Sequence, residues 1–137
     1  MIEYVTDIPN QFQKAHEADA GYDIVANENF VLNGNTRELI STGLYVSIPE
    51  GYVGIIKSRS GLSTNHSIDI GAGVVDSGYT GEVKVCFINS GPEEFPISIG
   101  DKIAQMVIVP ICTMQATKVQ NLQDSERGDN GFNSTGY

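Results

Sequence analysis

Tryptophan is absent from this chain, cysteine occurs twice, and only 8 of its 137 residues are lysine or arginine. Each shortage removes a class of reading. Two cysteines, Cys86 and Cys112, are too few for the disulfide framework of a small secreted domain. Both fall inside apolar runs and read as buried free thiols. His16 and His66 are isolated, and no His/Cys spacing suits a structural metal. No apolar run approaches the roughly 18 residues of a membrane span, and no apolar stretch follows a basic N-terminus. The expected location is therefore intracellular, cytoplasmic or nuclear. Against 17 Asp and Glu, the few cations leave a net charge of -9. That excludes a general binder of nucleic acid or of an anionic membrane. No segment carries a sustained 3.6-residue apolar stripe, which excludes a helical bundle.

What is present reads as one β domain. The length suits a single core and is too short for two, and the apolar and charged fractions, 40% and 18%, argue against disorder. Ile40, Thr42, Leu44, Val46 and Ile48 alternate with period two and stop at Pro49-Glu50-Gly51, a turn. Residues 52–57 form a second strand. The runs 83–89 and 103–111 are nearly continuous in apolar residues, as expected of strands covered on both faces. A short helix has room to start near Ser60. Many short strands punctuated by Gly, Asn and Ser turns predict an all-β barrel or sandwich.

The densest chemistry lies in the last eleven residues, Arg127 to Tyr137. Three glycines and two asparagines make poor helix or strand, yet the stretch holds a guanidinium, an aromatic ring and adjacent hydroxyls. That inventory fits a flap closing over a nucleoside polyphosphate. Four other clusters lie at turns or strand ends, where scaffolds usually carry function. Ala20-Gly21-Tyr22-Asp23-Ile24 is a bend or the support of a site. Ser58-Arg59-Ser60-Gly61-Leu62-Ser63 is a polar turn or a phosphate cradle opening a helical turn. Residues 71–82 read as a glycine-flanked hairpin with its turn near Asp76 to Tyr79. Asp76 is the only carboxylate between Gly71 and Gly81 and a candidate general base; Tyr79 is a candidate flat wall. Gln105, inside the last apolar strand, must find a hydrogen bond, either structural or to a ligand.

In this order, the five segments strongly resemble the five motifs of the trimeric dUTPase family, over Ala20 to Gly136. The resemblance implies a jelly-roll-like β-barrel over residues 1–125, a flexible closing tail over 126–137, and a homotrimer with sites at subunit interfaces. It implies hydrolysis of dUTP to dUMP and pyrophosphate, which limits uracil in DNA and supplies dUMP for dTMP synthesis. Mg2+ would be held mainly by the triphosphate, with Asp23 acting on it only through water. Asp76 would orient and deprotonate the attacking water, and Tyr79 would stand against the deoxyribose. The main chain of Gly73, Val74 and Lys84 would pair with uracil, and Val75 is a further substrate-binding position. Arg59, Ser60, Gly61 and Gln105 match phosphate contacts. In the tail, Arg127, Asn133, Ser134 and Thr135 match substrate contacts, and Phe132 matches the aromatic that stacks on the base.

Several positions depart from the family pattern. Thr80 stands where arginine is frequent, Ser58 where proline is, and Asn130 and Asn133 where glycine is. None removes a group that the mechanism requires. Two further readings remain open from sequence. A dCTP deaminase-like enzyme would share the scaffold but needs extra proton-transfer groups at the base. A regulatory or interaction protein would reuse the fold without catalysis, which the joint presence of Asp76, Arg59, Arg127 and Phe132 opposes. The physics agrees with hydrolysis: cleaving a phosphoanhydride needs positioning, charge neutralisation and a base rather than covalent help.

Overall fold

The computed structural model describes residues 1–129. The elements run β1 (Glu3–Val5), β2 (Gly21–Val25), β3 (Phe30–Leu32), β4 (Thr36–Ser47), β5 (Tyr52–Lys57), α1 (Ser60–His66), β6 (Ile68–Gly71), β7 (Val74–Val75), β8 (Glu82–Asn89), β9 (Phe95–Ile97) and β10 (Lys102–Pro110). The alternation at 40–48 becomes the second half of β4, and the turn at Pro49 ends it as expected. The short helix begins at Ser60, with Arg59 in extended conformation as its N-cap residue.

Two four-stranded antiparallel sheets, β1-β4-β8-β6 and β2-β10-β5-β7, are accompanied by a β3-β9 ribbon. Side chains from both sheets enter one core, among them Leu44, Val85 and Phe87 from the first and Ile24, Ile56 and Met106 from the second. Period-two geometry explains the choice: alternate residues of β4 and β8 turn inward and their neighbours turn out.

That same geometry corrects two expectations. The run 83–89 is not covered on both faces within one chain: Val83, Val85 and Phe87 are buried, whereas Cys86 and Ile88 on the other face are half-buried and Lys84 is exposed. In β10, Val109 and Pro110 are likewise exposed. The cysteines follow from this. Cys86 is half-buried because it faces outward on β8, and Cys112 is exposed because the β10 ladder has ended before it. From 111 to 129 every residue is exposed in the single chain, including the apolar Ile111, Met114, Val119 and Leu122.

A bulge interrupts the longest pairing. The β4–β8 register shifts between Ser41 and Leu44, and Gly43 lies there at φ +66°. Buried Gln11 ties this region to β2: its amide donates to the carbonyls of Thr42 (2.9 Å) and Val25 (3.2 Å), and its oxygen accepts the Val25 N–H (2.7 Å).

Candidate active site

Two cavities divide the sequence-predicted residues between them. The first, of about 560 Å³, is lined by Asp23, Arg59, Ser60, Gly61 and Gln105 together with Lys102 and residues of the 15–20 loop. The pairing of strands builds it. Gln105 on β10 stands between Asp23 on β2 and Lys57 on β5, so these side chains share one face of the sheet. Two residues beyond Lys57, Arg59 leaves the sheet and starts α1.

Charge is concentrated here. The Lys102 ammonium lies 2.7 Å from Asp23 Oδ2, and Arg59 Nε lies 3.7 Å from Oδ1. The Asp23 side chain is 15% exposed and both cations 43%, so the cations keep a solvent-facing side for an anionic ligand. Gln105 donates to the Ser58 carbonyl at 3.3 Å, which gives the polar residue of an apolar strand the partner its burial demands. Ser58, standing where the family often has proline, hydrogen-bonds with its side chain to Asp69 (3.3 Å), which also accepts the Ser63 hydroxyl (2.8 Å). Lys102 escaped sequence reading. Only the β2–β10 pairing reveals it, because Asp23 lies far away in the chain.

The second cavity, of about 320 Å³, is lined by Gly73, Val74, Val75, Asp76, Tyr79 and Lys84, with Leu39, Ile56 and Glu82. The expected turn is present, since the Tyr79 N–H donates to the Asp76 carbonyl at 3.1 Å. The expected hairpin is present in a wider form: β6, which ends at Gly71, pairs antiparallel with β8 (Gly71 opposite Cys86), while β7 between them crosses to pair with β5 in the other sheet. This leaves β7 as an edge strand, so one side of its main chain has no strand partner among the described residues. Gly73 sits at φ +101°, and its carbonyl accepts the Ile56 N–H at 2.7 Å. A Cβ at Gly73 would lie 2.8 Å from the Ile56 carbonyl oxygen, so only glycine brings the backbone this close.

Glu82 also escaped sequence reading. Its carboxylate accepts from the Ser41 hydroxyl and from the N–H groups of Gly43 (2.8 Å) and Thr42 (3.1 Å). The Ser41 bond above all, then the Gly43 bond, hold its carboxyl below the usual value against the opposing effect of burial, with lesser help from the Thr42 bond and the nearby Lys84 charge. Asp76 is exposed, as are Tyr79 and Lys84.

The two cavities share no lining residue. Arg127 is exposed and lines neither. Asn130, Phe132, Asn133, Ser134 and Thr135 lie outside the described residues.

A family model described as dUTPase matches residues 9–136 of the chain. The chain belongs to the dUTPase family. It is 43% identical over 125 residues to the deoxyuridine 5'-triphosphate nucleotidohydrolase of Clostridium novyi, covering 90% of this chain and 88% of that one. Among solved structures it is similar to a variant dUTPase of Staphylococcus bacteriophage 80alpha with dUpNHpp. There the TM-score is 0.91 and the identity 32%, with 100% of this chain and 99% of the other covered. It is also similar to a variant dUTPase from phage phi11 of S. aureus described as coordinating a structural Mg(II) ion, at TM-score 0.81 and 31% identity, over 90% and 99% of the two chains. Of the five segments singled out in the sequence, four contribute to the two cavities and the fifth begins at Arg127.

Proposed function

We propose that this dUTP diphosphatase assembles each active site from neighbouring copies of the chain in a homotrimer of jelly-roll-like barrels. The observation that carries this reading is the division of the site residues: the groups suited to phosphate line one cavity, and those suited to the nucleoside line another. A complete site then needs the first cavity of one subunit against the second cavity of its neighbour. The exposed apolar residues at the second cavity, Leu39 and Val74, and along 111–122 supply surface for such contacts.

In the assembled site, residues 1–125 form the barrel and 126–137 the closing tail. Arg59, Ser60, Gly61, Gln105 and Lys102 receive the phosphates. The free edge of Gly73, Val74 and Val75, with the main chain of Lys84, presents fixed donors and acceptors to the uracil edge. Cytosine would leave some of these unpaired, which rejects it strongly. Tyr79 closes the space beside the 2′ carbon. Asp76 accepts the proton of the attacking water as the bond between the α and β phosphates breaks to release pyrophosphate. Arg127, Asn133, Ser134 and Thr135 cover the phosphates, and Phe132 stacks on the base.

The family uses Mg2+. Among the described residues no group of three His, Cys, Asp or Glu side chains could cage an ion, and both Asp23 oxygens already face cations. This donor set fits a magnesium carried by the triphosphate, with Asp23 reaching it through water. When bound, the ion neutralises phosphate charge.

Pyrophosphate release from dUTP, dCTP, dTTP and UTP with magnesium present tests the substrate assignment; ammonia released from dCTP would overturn it. Sedimentation analysis tests the trimer. Mixing a chain ended at Ser125 with full-length Asp76→Asn should restore part of the lost activity. No recovery after verified subunit exchange would place tail and base in one chain.

A further inference from the structure

The bulge in β4 and the turn carrying Tyr79 are joined through one residue. Glu82 opens β8, and a single carboxylate oxygen, Oε1, accepts the Ser41 hydroxyl and the N–H groups of Thr42 and Gly43. Those residues are where β4 slips register against β8. A bulge breaks the ladder, and the carboxylate supplies the partner that the two N–H groups would otherwise lack. On its other side, the Glu82 carbonyl accepts the Tyr79 hydroxyl at 2.8 Å. The Tyr79 ring lies so close over Gly81 that a Cβ there would stand 2.6 Å from Oη, 2.7 Å from Cζ and 3.0 Å from Cε2. With Tyr79 45% exposed, packing alone confines the ring weakly, and the hydrogen bond and the bare Gly81 backbone set its tilt.

We propose that Glu82 is a positioning residue for sugar selection: its carboxylate anchors the start of β8 to the β4 bulge and so holds the carbonyl on which the Tyr79 ring docks. This rests on the reading of Tyr79 as the wall beside the 2′ position. Three donors converge on one oxygen, an arrangement that a carboxylate supports better than a neutral amide. A glutamate is ionised at neutral pH in any case, and these hydrogen bonds hold the Glu82 carboxyl below its ordinary value, so the anchor stays charged into mildly acidic solution.

The test compares kcat/KM for dUTP and UTP, with thermal melting, in Glu82→Ala, Glu82→Gln, Tyr79→Phe and Tyr79→Ala. Glu82→Ala and Tyr79→Phe should each narrow the dUTP preference by about tenfold, within the range by which a pocket discriminates one added hydroxyl. Glu82→Gln, which keeps an acceptor oxygen, should fall between Glu82→Ala and the unsubstituted enzyme. Tyr79→Phe removes only the docking hydroxyl and carries the test should Glu82→Ala fail to fold. An unchanged ratio in Tyr79→Phe and in the folded Glu82 variants, with Tyr79→Ala narrowed, overturns the proposal and leaves a purely structural latch. An unchanged ratio in Tyr79→Ala overturns the wall reading instead. A crystal structure of Glu82→Ala, which has no acceptor left, then decides the latch: a ring displaced from Gly81 upholds it, and a ring still in place overturns it.

Discussion

Around the start of α1, side chains hold one another: Asp23 faces Lys102 and Arg59, and Gln105 reaches the Ser58 carbonyl. Along 72–84 the backbone takes that part. Gly73 presses against Ile56, the Asp76–Tyr79 turn closes on its own main chain, and the Tyr79 hydroxyl docks on a carbonyl. On the proposed function, the difference follows from what each must recognise. Polyphosphate is read by charge, and the two cations, each 43% exposed, keep a face for an anion while still paired to Asp23. A base edge is read by donors and acceptors that do not move, and a strand edge supplies them. A chain with only three arginines places one of them beside Asp23 and none at the second cavity, where Lys84 is the one cation among the lining residues.

The sharpest way to break this contrast is to remove the tail proposed to close over both regions. Ending the chain at Ser125 should leave a folded trimer that binds nucleotide and hydrolyses it roughly 10³–10⁵ times more slowly, as for loss of an arginine finger with closure. Single-turnover kinetics would show it, and unchanged turnover would make the tail irrelevant. Next in size, Asp76→Asn should lower kcat by roughly 10²–10⁴ with nucleotide affinity kept. Wild-type-like turnover would exclude Asp76 as the base.

Gly73→Ala probes the backbone region alone. It forces a side chain into positive φ and against the Ile56 carbonyl, a strain of about 1–3 kcal/mol, and should also weaken discrimination of dUTP from dCTP. Calorimetry and paired assays would read both, and a variant with unchanged melting and selectivity would contradict the tight approach. Lys102→Met probes the charged region alone. Pyrophosphate affinity should fall about tenfold, the equivalent of ~1.4 kcal/mol, while deoxyuridine affinity stays level. Equal losses for both ligands by titration calorimetry would erase the distinction between the cavities.

The smallest effect is one of pH. Because the folded-state pKa of Glu82 is depressed, its contribution to stability is fully present above the ordinary glutamate value of about 4.3. It is lost as pH falls through the lower folded-state value. Between the ordinary value and that lower one, melting of the native chain should therefore drop more steeply than melting of Glu82→Gln. Parallel curves would show that the carboxylate carries no such linkage.

How much was legible in the sequence depends on the range of the interaction. Local patterns mapped directly. The period of Ile40 to Ile48 marks a strand, Pro49-Glu50-Gly51 ends it, and the helix begins at Ser60. The five segments were likewise legible as candidates, because glycine, arginine and aspartate at turns have few structural uses in that combination. Pairing was not legible. Residues 71–82 have hairpin composition, and β6 does pair with β8 from Gly71 outward, but no local pattern showed that β7 between them would cross to β5 in the other sheet.

By itself, then, the sequence determined a mostly β chain, its turns, and the residue types on which a dUTPase site draws. Those properties depend on near neighbours and on side-chain chemistry. Tertiary structure alone decided that Lys102 meets Asp23, that Glu82 fastens the bulge and docks Tyr79, and that the site residues divide between two cavities. Each depends on strand register between segments far apart in the chain, and register is chosen by which faces are buried rather than by any local pattern.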